Sequence, residues 1–212
     1  MLIGIDQAAS FLAMAVVITL APGPDNLMVL SLAAARGRRA GMAFGLGCAC
    51  GCLSHTALAA LGVSMLIAAS PLAFGTFKLC GGGYLVWLGL KALTAAPAPG
   101  GRSGAAGRLD GRAPGVLFRR GLLANAVNPK VILFFLAFLP QFVVSSRGLP
   151  GVQMAQLGVL FTIQAAVIFG AIGAGAGWIG TRLSRWPGFG CWLDRAAGAL
   201  FMALGLKLIL LP

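Results

Sequence analysis

The sequence predicts an all-α integral membrane protein of six transmembrane helices, arranged as two inverted three-helix repeats with broken helices one and four. Three observations predict it. Of the 212 residues 59% are apolar and 32 more are glycine, so roughly three quarters of the chain is apolar or glycine, against about half in a soluble domain. Charge is scarce, with 16 Lys and Arg, four Asp and no Glu, where a soluble surface carries roughly a quarter or more charged residues. Apolar windows recur at 8–33, 42–68, 72–95, 118–144, 154–180 and 192–211, each long enough to cross a hydrocarbon layer of about 30 Å, some with tilt.

Taken in order, span one follows MLIGIDQAAS, which carries no Lys or Arg, and its apolar run exceeds the core of a signal peptide, so it reads as a retained span. The connections are RGRR (36–39), Ser70-Pro71, Pro97 to Pro114, Ser145 to Gly151 and TRLSRWPGFG (181–190). Only the third is long. PAPGGRSGAAGRLDGR has almost nothing to bury and reads as a flexible cytoplasmic linker. The chain therefore divides into a first repeat (1–96), a linker (97–117) and a second repeat (118–212).

The net charge of +12 would suggest nucleic acid in a soluble protein, but no basic stretch is interleaved with aromatics, so no nucleic-acid partner is expected. Arg36, Arg38 and Arg39 precede span two; Arg102, Arg108, Arg112, Arg119 and Arg120 precede span four; Arg182, Arg185 and Arg195 surround the start of span six. The opposite side offers Arg147 alone. Eleven against one places the first, third and fifth connections in the cytoplasm and both termini outside.

The halves resemble each other. Span three ends in Gly82, Gly89, Leu90 and Lys91, and span six repeats that spacing in Gly198, Gly205, Leu206 and Lys207, with LGLK at 88–91 and 204–207. Each half has an odd number of spans, so equivalent helices run oppositely, the inverted repeat that many secondary transporters use for alternating access. In span one, ITLAPGPDNLMVL, Pro22, Gly23 and Pro24 interrupt the helix and leave the carbonyls of Ile18 and Leu20 without helical donors. In span four, LANAVNPKVILFF, Pro129 does the same to the carbonyl of Asn125. Paired interruptions in matching positions point to a binding site at the membrane midplane.

Opposite charges sit at these breaks. Asp25 is the one acidic residue within a span and Lys130 is its cationic counterpart. An ionisable group at the bilayer centre costs at least about 2.5–3.5 kcal/mol, so each needs a partner or a wet cavity. One reading is a structural Asp25–Lys130 ion pair. The other, favoured because breaks and charges coincide, is a zwitterion site: Asp25 and freed carbonyls take an ammonium, Lys130 and half-helix amides take a carboxylate. Asn26, Asn125 and Asn128 flank the breaks and can bind a ligand or cap freed backbone.

His55 lies on span two in line with Gly47 and Gly51, a face where helices approach closely. It reads as a hydrogen-bond partner, with proton coupling, alongside Asp25, as the sharper alternative. Gln164 should bond between helices. Cys48, Cys50 and Cys52 scatter around their helix and read as small packing residues; with Cys80 and Cys191 they form neither a disulfide framework nor a zinc site. Gly170, Gly173, Gly177 and Gly180 form one helical face for a close crossing, and Trp87, Trp178, Trp186 and Trp192 fall near span ends as an aromatic belt. No catalytic nucleophile and base can be placed together, so no enzyme, cofactor or metal is expected.

Through APGPDN (21–26), GGGYLVWLGLKAL (81–93) and NPKVILFFLAFLPQF (128–142), the chain resembles the LysE/RhtB-type amino-acid exporters of bacterial inner membranes over essentially its whole length. Ala21 departs from the Thr that many members carry before the first proline. The resemblance implies export of amino acids or related amino-bearing metabolites, driven by the proton-motive force in many members. Its superfamily also contains divalent-cation exporters and transmembrane thiol electron carriers. The first would want more acidic or His ligands than this chain has in its spans, and the second would want cysteines where Asp25 and Lys130 stand. The substrate side chain and whether copies associate into a homo-oligomer are left open.

Overall fold

Every element among the described residues is helical. The computed structural model describes residues 3–21, 23–63, 70–94, 113–176 and 189–210. Span one is two helices, α1 (Ile5–Leu20) and α2 (Pro24–Arg36), bent at 59°. Ala21 ends α1 at φ −56°, ψ 129°, because the residue before a proline avoids the α region. Gly23 caps α2 in an extended conformation and Pro24 takes the first helical position, where its missing N–H costs nothing.

Helix α3 (Arg38–Ala57) continues as a π-helical turn, Leu58–Val63. Only Gly37 separates α2 from α3, with φ 85°, a conformation that demands glycine. RGRR, expected as a connection, is therefore helical on both sides of Gly37. Helix α4 spans Pro71–Leu93; span four breaks into α5 (Pro114–Ala126) and α6 (Pro129–Phe138); α7 is Pro150–Ala174 and α8 Phe189–Leu210. Of the expected linker, 97–112 lies outside the described residues, and α5 has begun by Pro114.

By length and apolarity alone, Arg38–Gly62 and Pro150–Ala174 can each cross a membrane, with mean hydropathies of 1.5 and 2.0, and the bent α1–α2 pair can form a third crossing. Helices α4 and α8 are diluted by Lys78, Lys91, Asp194, Arg195 and Lys207, and α5–α6 is interrupted, so none of these meets that measure by itself.

In lipid, apolar burial gives little gain over contact with acyl chains, so helices associate through close packing and hydrogen bonds. Helix α3 is the hub, and its glycines set its neighbours. A Cβ at Gly47 would stand 2.0 Å from the Phe118 carbonyl oxygen, and one at Gly121 would stand 2.1 Å from that of Phe44. With Gly51 against Asn125, α3 and α5 run parallel. On another face Gly41 meets Gly173, Gly45 meets Phe169 and Thr56 meets Gly158, so α3 and α7 run antiparallel. Gly170 has nothing within 4 Å, which narrows the expected glycine face of α7 to Gly173; Gly177 and Gly180 lie outside the described residues.

The repeated glycine spacing finds its use between α4 and α8. Gly82 opposes Gly205 and Gly89 opposes Gly198, so the two segments that look alike in sequence pack antiparallel on each other. Near its C-terminal end α4 carries the half-exposed Trp87 with the Lys91 ammonium 4.4 Å over its ring. Trp192 on α8 is exposed, while Trp178 and Trp186 lie outside the described residues.

At the opposite end of α1 from the break, Gln7 donates to Gln153 Oε1 at 3.2 Å and to the Phe142 carbonyl. Gln153, fully buried, binds both the N–H and the C=O of Val144 at 3.0 Å. Below this polar knot Phe11, Phe138, Phe142, Phe134 and Phe161 form a ring-on-ring layer, with Phe134 and Phe138 stacked at 4.3 Å.

The α4–α8 register is testable. A Cβ at Gly89 stands 2.7 Å from the Gly198 carbonyl oxygen, so Gly89→Val should cost at least about 1–3 kcal/mol, read as a lower detergent melting temperature. Gly170→Ala, facing open space, should melt like wild type. Equal melting of the two variants would show the register to be wrong.

Candidate functional site

The two breaks meet. Gly23 caps α2, Pro24 is its first residue and Asp25 its second; Asn128 precedes α6, with Pro129 first and Lys130 second. A carboxylate in the first turn is favoured by the helix dipole, whereas a lysine there opposes it. Pro22 and the side chains of Pro129 and Lys130 lie outside the described residues.

Around Asp25 the hydrogen bonds are specific. Asn125 Nδ2 donates to its Oδ2 at 2.9 Å and Asn128 Nδ2 donates to the same oxygen at 3.3 Å. Asn26 serves the break: its Nδ2 donates to the carbonyls of Thr19 at 2.9 Å and Ala21 at 2.8 Å. Both amide hydrogens are thus spent on backbone, and Asn26 Oδ1 is buried with no partner among the described residues. The Asn125 carbonyl, expected to be free for a ligand, is taken: the Asn128 N–H donates to it at 2.9 Å, and His55 Nε2 lies 3.0 Å from it.

These groups line one open-mouthed cleft with about 50 Å³ of water-sized space. Gly23, Pro24, Asp25, Asn26, Asn125 and Asn128 are all on its wall. His55 is not. It lies one layer behind, on α3, 1% exposed, with its ring against Phe135. Sequence reasoning missed Thr19 and the apolar wall of Ile18, Val131, Phe134, Phe161 and Phe169. Thr19, one turn before the break, could have been found by position; Phe161 and Phe169, eight apart on one face of α7, look like ordinary apolar residues. Gln164 on α7 makes the expected interhelical bond, donating to Thr19 Oγ1 at 2.8 Å, and Thr19 donates to the Ala15 carbonyl at 2.8 Å. Cys48 and Cys52 are buried between α3 and α5, and Cys52 also reaches the cleft, its thiol 3.5 Å from Asn125 Oδ1 and 3.6 Å from the Cys48 carbonyl.

A half-buried carboxylate braced by amides at two helix breaks, over an apolar wall, can take a small molecule that carries hydrogen-bond donors. Residues 16–211 match the LysE type translocator family. The chain belongs to that family. The match bears out the resemblance carried by APGPDN and NPKVILFFLAFLPQF and makes the chain a multi-pass membrane transporter rather than an enzyme. Among similar proteins, an uncharacterized membrane protein of Pseudomonas aeruginosa is 33% identical, over 97% of this chain and 96% of its own. The homoserine/homoserine lactone efflux protein of Salmonella typhimurium is 30% identical over 92% of each chain. The threonine efflux protein of Escherichia coli is 30% identical over 92% of this chain and 93% of its own. No solved structure matches the chain.

The bracing role of Asn26 predicts a stability effect. Asn26→Asp keeps the shape but cannot donate, leaving the Thr19 and Ala21 carbonyls unpaired, at about 1–3 kcal/mol each. The variant should melt well below wild type in detergent; unchanged melting would show that the amide does not hold the break.

Proposed function

We propose that this chain exports neutral amino acids or related amino-bearing metabolites across the bacterial inner membrane, coupled to the proton-motive force. The observation that carries the reading is the Asp25 carboxylate set where the two helix breaks meet, on the wall of an apolar cleft. An ammonium has hydrogen-bond donors to give, and the carboxylate, held at Oδ2 by Asn125 and Asn128, has further lone pairs to accept them. Asp25 is the one ionisable carboxylate on the described wall, which suits a substrate with a single cation and an uncharged body. Lys130 and the amides opening α6 take the carboxylate in this reading. The efflux activities named for the Salmonella and Escherichia relatives support the same class.

The proposal includes six spans in two inverted repeats, joined by a cytoplasmic linker and with both termini outside. It is supported by the loop arginines and by the antiparallel fit of Gly82 and Gly89 on Gly205 and Gly198. A cysteine introduced at Gly104 should stay unlabelled by an impermeant external thiol reagent in intact cells and react after permeabilisation. Labelling in intact cells would reverse the orientation.

The site itself is tested by efflux from cells loaded with dipeptides containing threonine, homoserine, leucine or lysine. Asp25→Asn should lower efflux of the neutral amino acids at least tenfold at equal protein level; undiminished efflux would overturn the reading. Asp25→Asn with Lys130→Met should melt near wild type yet fail to export. Near-normal export from that stable double variant would leave only a structural ion pair. Transport measured against external pH separates ammonium binding from proton carriage at Asp25.

A further inference from the structure

One turn of α3 grips Asn125 from behind. Gly51 allows the approach, since a Cβ there would stand 2.8 Å from Asn125 Cβ. The Cys52 thiol lies 3.5 Å from Asn125 Oδ1 and 3.6 Å from the Cys48 carbonyl, and the Asp25 carboxylate, which only accepts, sets Nδ2 as the end of the amide that faces it. His55 completes the grip on the main chain, its Nε2 at 3.0 Å from the Asn125 carbonyl that Pro129 deprives of a helical donor. A carbonyl only accepts, so Nε2 carries the hydrogen and Nδ1 does not.

The surroundings of His55 argue against a proton carrier. A carrier needs a hydrogen-bonded route on both sides of the ring. On one side the Asn125 carbonyl has no proton to pass on; on the other, Nδ1 is buried with no partner among the described residues and the ring abuts Phe135, centroids 5.6 Å apart. The remaining asset of the ring is its N–H, held at a fixed place by a helix packed backbone to backbone against α5.

We infer that His55 is a positioning residue for the substrate site: its Nε2–H holds the end of α5 so that the Asn125 amide keeps the Asp25 carboxylate turned to the cleft. The inference rests on the reading of Asp25 as the ammonium site. It acts through Asn125, not through a change in its own protonation. What the site requires at position 55 is a neutral donor at the reach of Nε2, and the terminal amide nitrogen of glutamine supplies one.

The test compares wild type, His55→Gln, His55→Ala and Asp25→Asn in proteoliposomes, following counterflow of L-threonine or L-leucine, whichever wild type carries faster. Each variant's detergent melting is recorded alongside. His55→Ala should raise the apparent KM about tenfold or more with a smaller change in maximal rate. His55→Gln should restore KM to within about threefold of wild type and leave the pH profile of transport parallel to it. A His55→Gln protein that is folded but as impaired as His55→Ala, or whose pH profile is flattened, overturns positioning in favour of proton handling. A His55→Ala protein with wild-type KM overturns it outright. If His55→Ala does not accumulate, His55→Gln alone decides, near-normal KM supporting the inference and raised KM overturning it. Wild-type counterflow in Asp25→Asn, or none in wild type with either amino acid, removes the underlying reading and this inference with it. Loss in Asp25→Asn with normal behaviour of both His55 variants removes the inference alone.

Discussion

A main-chain carbonyl that loses its helical donor inside lipid must find another donor from protein, because the acyl chains offer none. The prolines at 22, 24 and 129 create that need at two places in the chain, and one of the molecule's two polar clusters is gathered around the answer, the other being the Gln7–Gln153 knot. Asn26 reaches back across its own break to Thr19 and Ala21. The Asn125 carbonyl is met by the Asn128 N–H and by His55 from α3. Of the amide side chains at the breaks, Asn26 repairs backbone, while Asn125 and Asn128 donate to Asp25 on the cleft wall.

Much of this was legible because proline and glycine act locally. The breaks follow from the ring of proline alone, and the line of Gly47, Gly51 and His55 marked the face that does pack on α5. The repeated Gly-Leu-Lys endings marked two segments that prove to be each other's partners. What the sequence could not reveal is pairing between elements. Counting back four residues from Pro129 identifies the carbonyl that loses its donor, but not that a histidine seventy residues earlier replaces it. Gly170 and Gly173 are equivalent by spacing, and only the crossing of α3 over α7 makes one tight and the other open. Phe134, Phe161 and Phe169 belong to the cleft because of where the helices meet, which periodicity within one helix does not encode.

The two half-helices that open at the site are alike in pattern and opposite in charge. Each begins with a proline and has its charged residue second, yet Asp25 accords with the helix dipole and Lys130 does not. A cation in the first turn is disfavoured by about 0.3–1 kcal/mol when exposed and by more when desolvated. Such a residue is tolerable where an anion lies nearby, whether from the chain or from a bound molecule.

Helix α1 links the cleft to the far end of the molecule. Gln7, Phe11, Ala15 and Thr19 follow one another a turn apart, so the Gln7–Gln153 knot stands about 18 Å along the helix from Thr19. Between them lies the layer of Phe11, Phe138, Phe142, Phe134 and Phe161, the last two of which also wall the cleft. Any movement between the cleft and that end would have to part this layer. Its contacts are between side chains, which can separate by rotamer changes, whereas α3 meets α5 and α4 meets α8 through glycine backbone that cannot part without losing the fit altogether. The aromatic layer is therefore the part of the packing that can rearrange while the glycine contacts of α3 with α5 and of α4 with α8 stay intact.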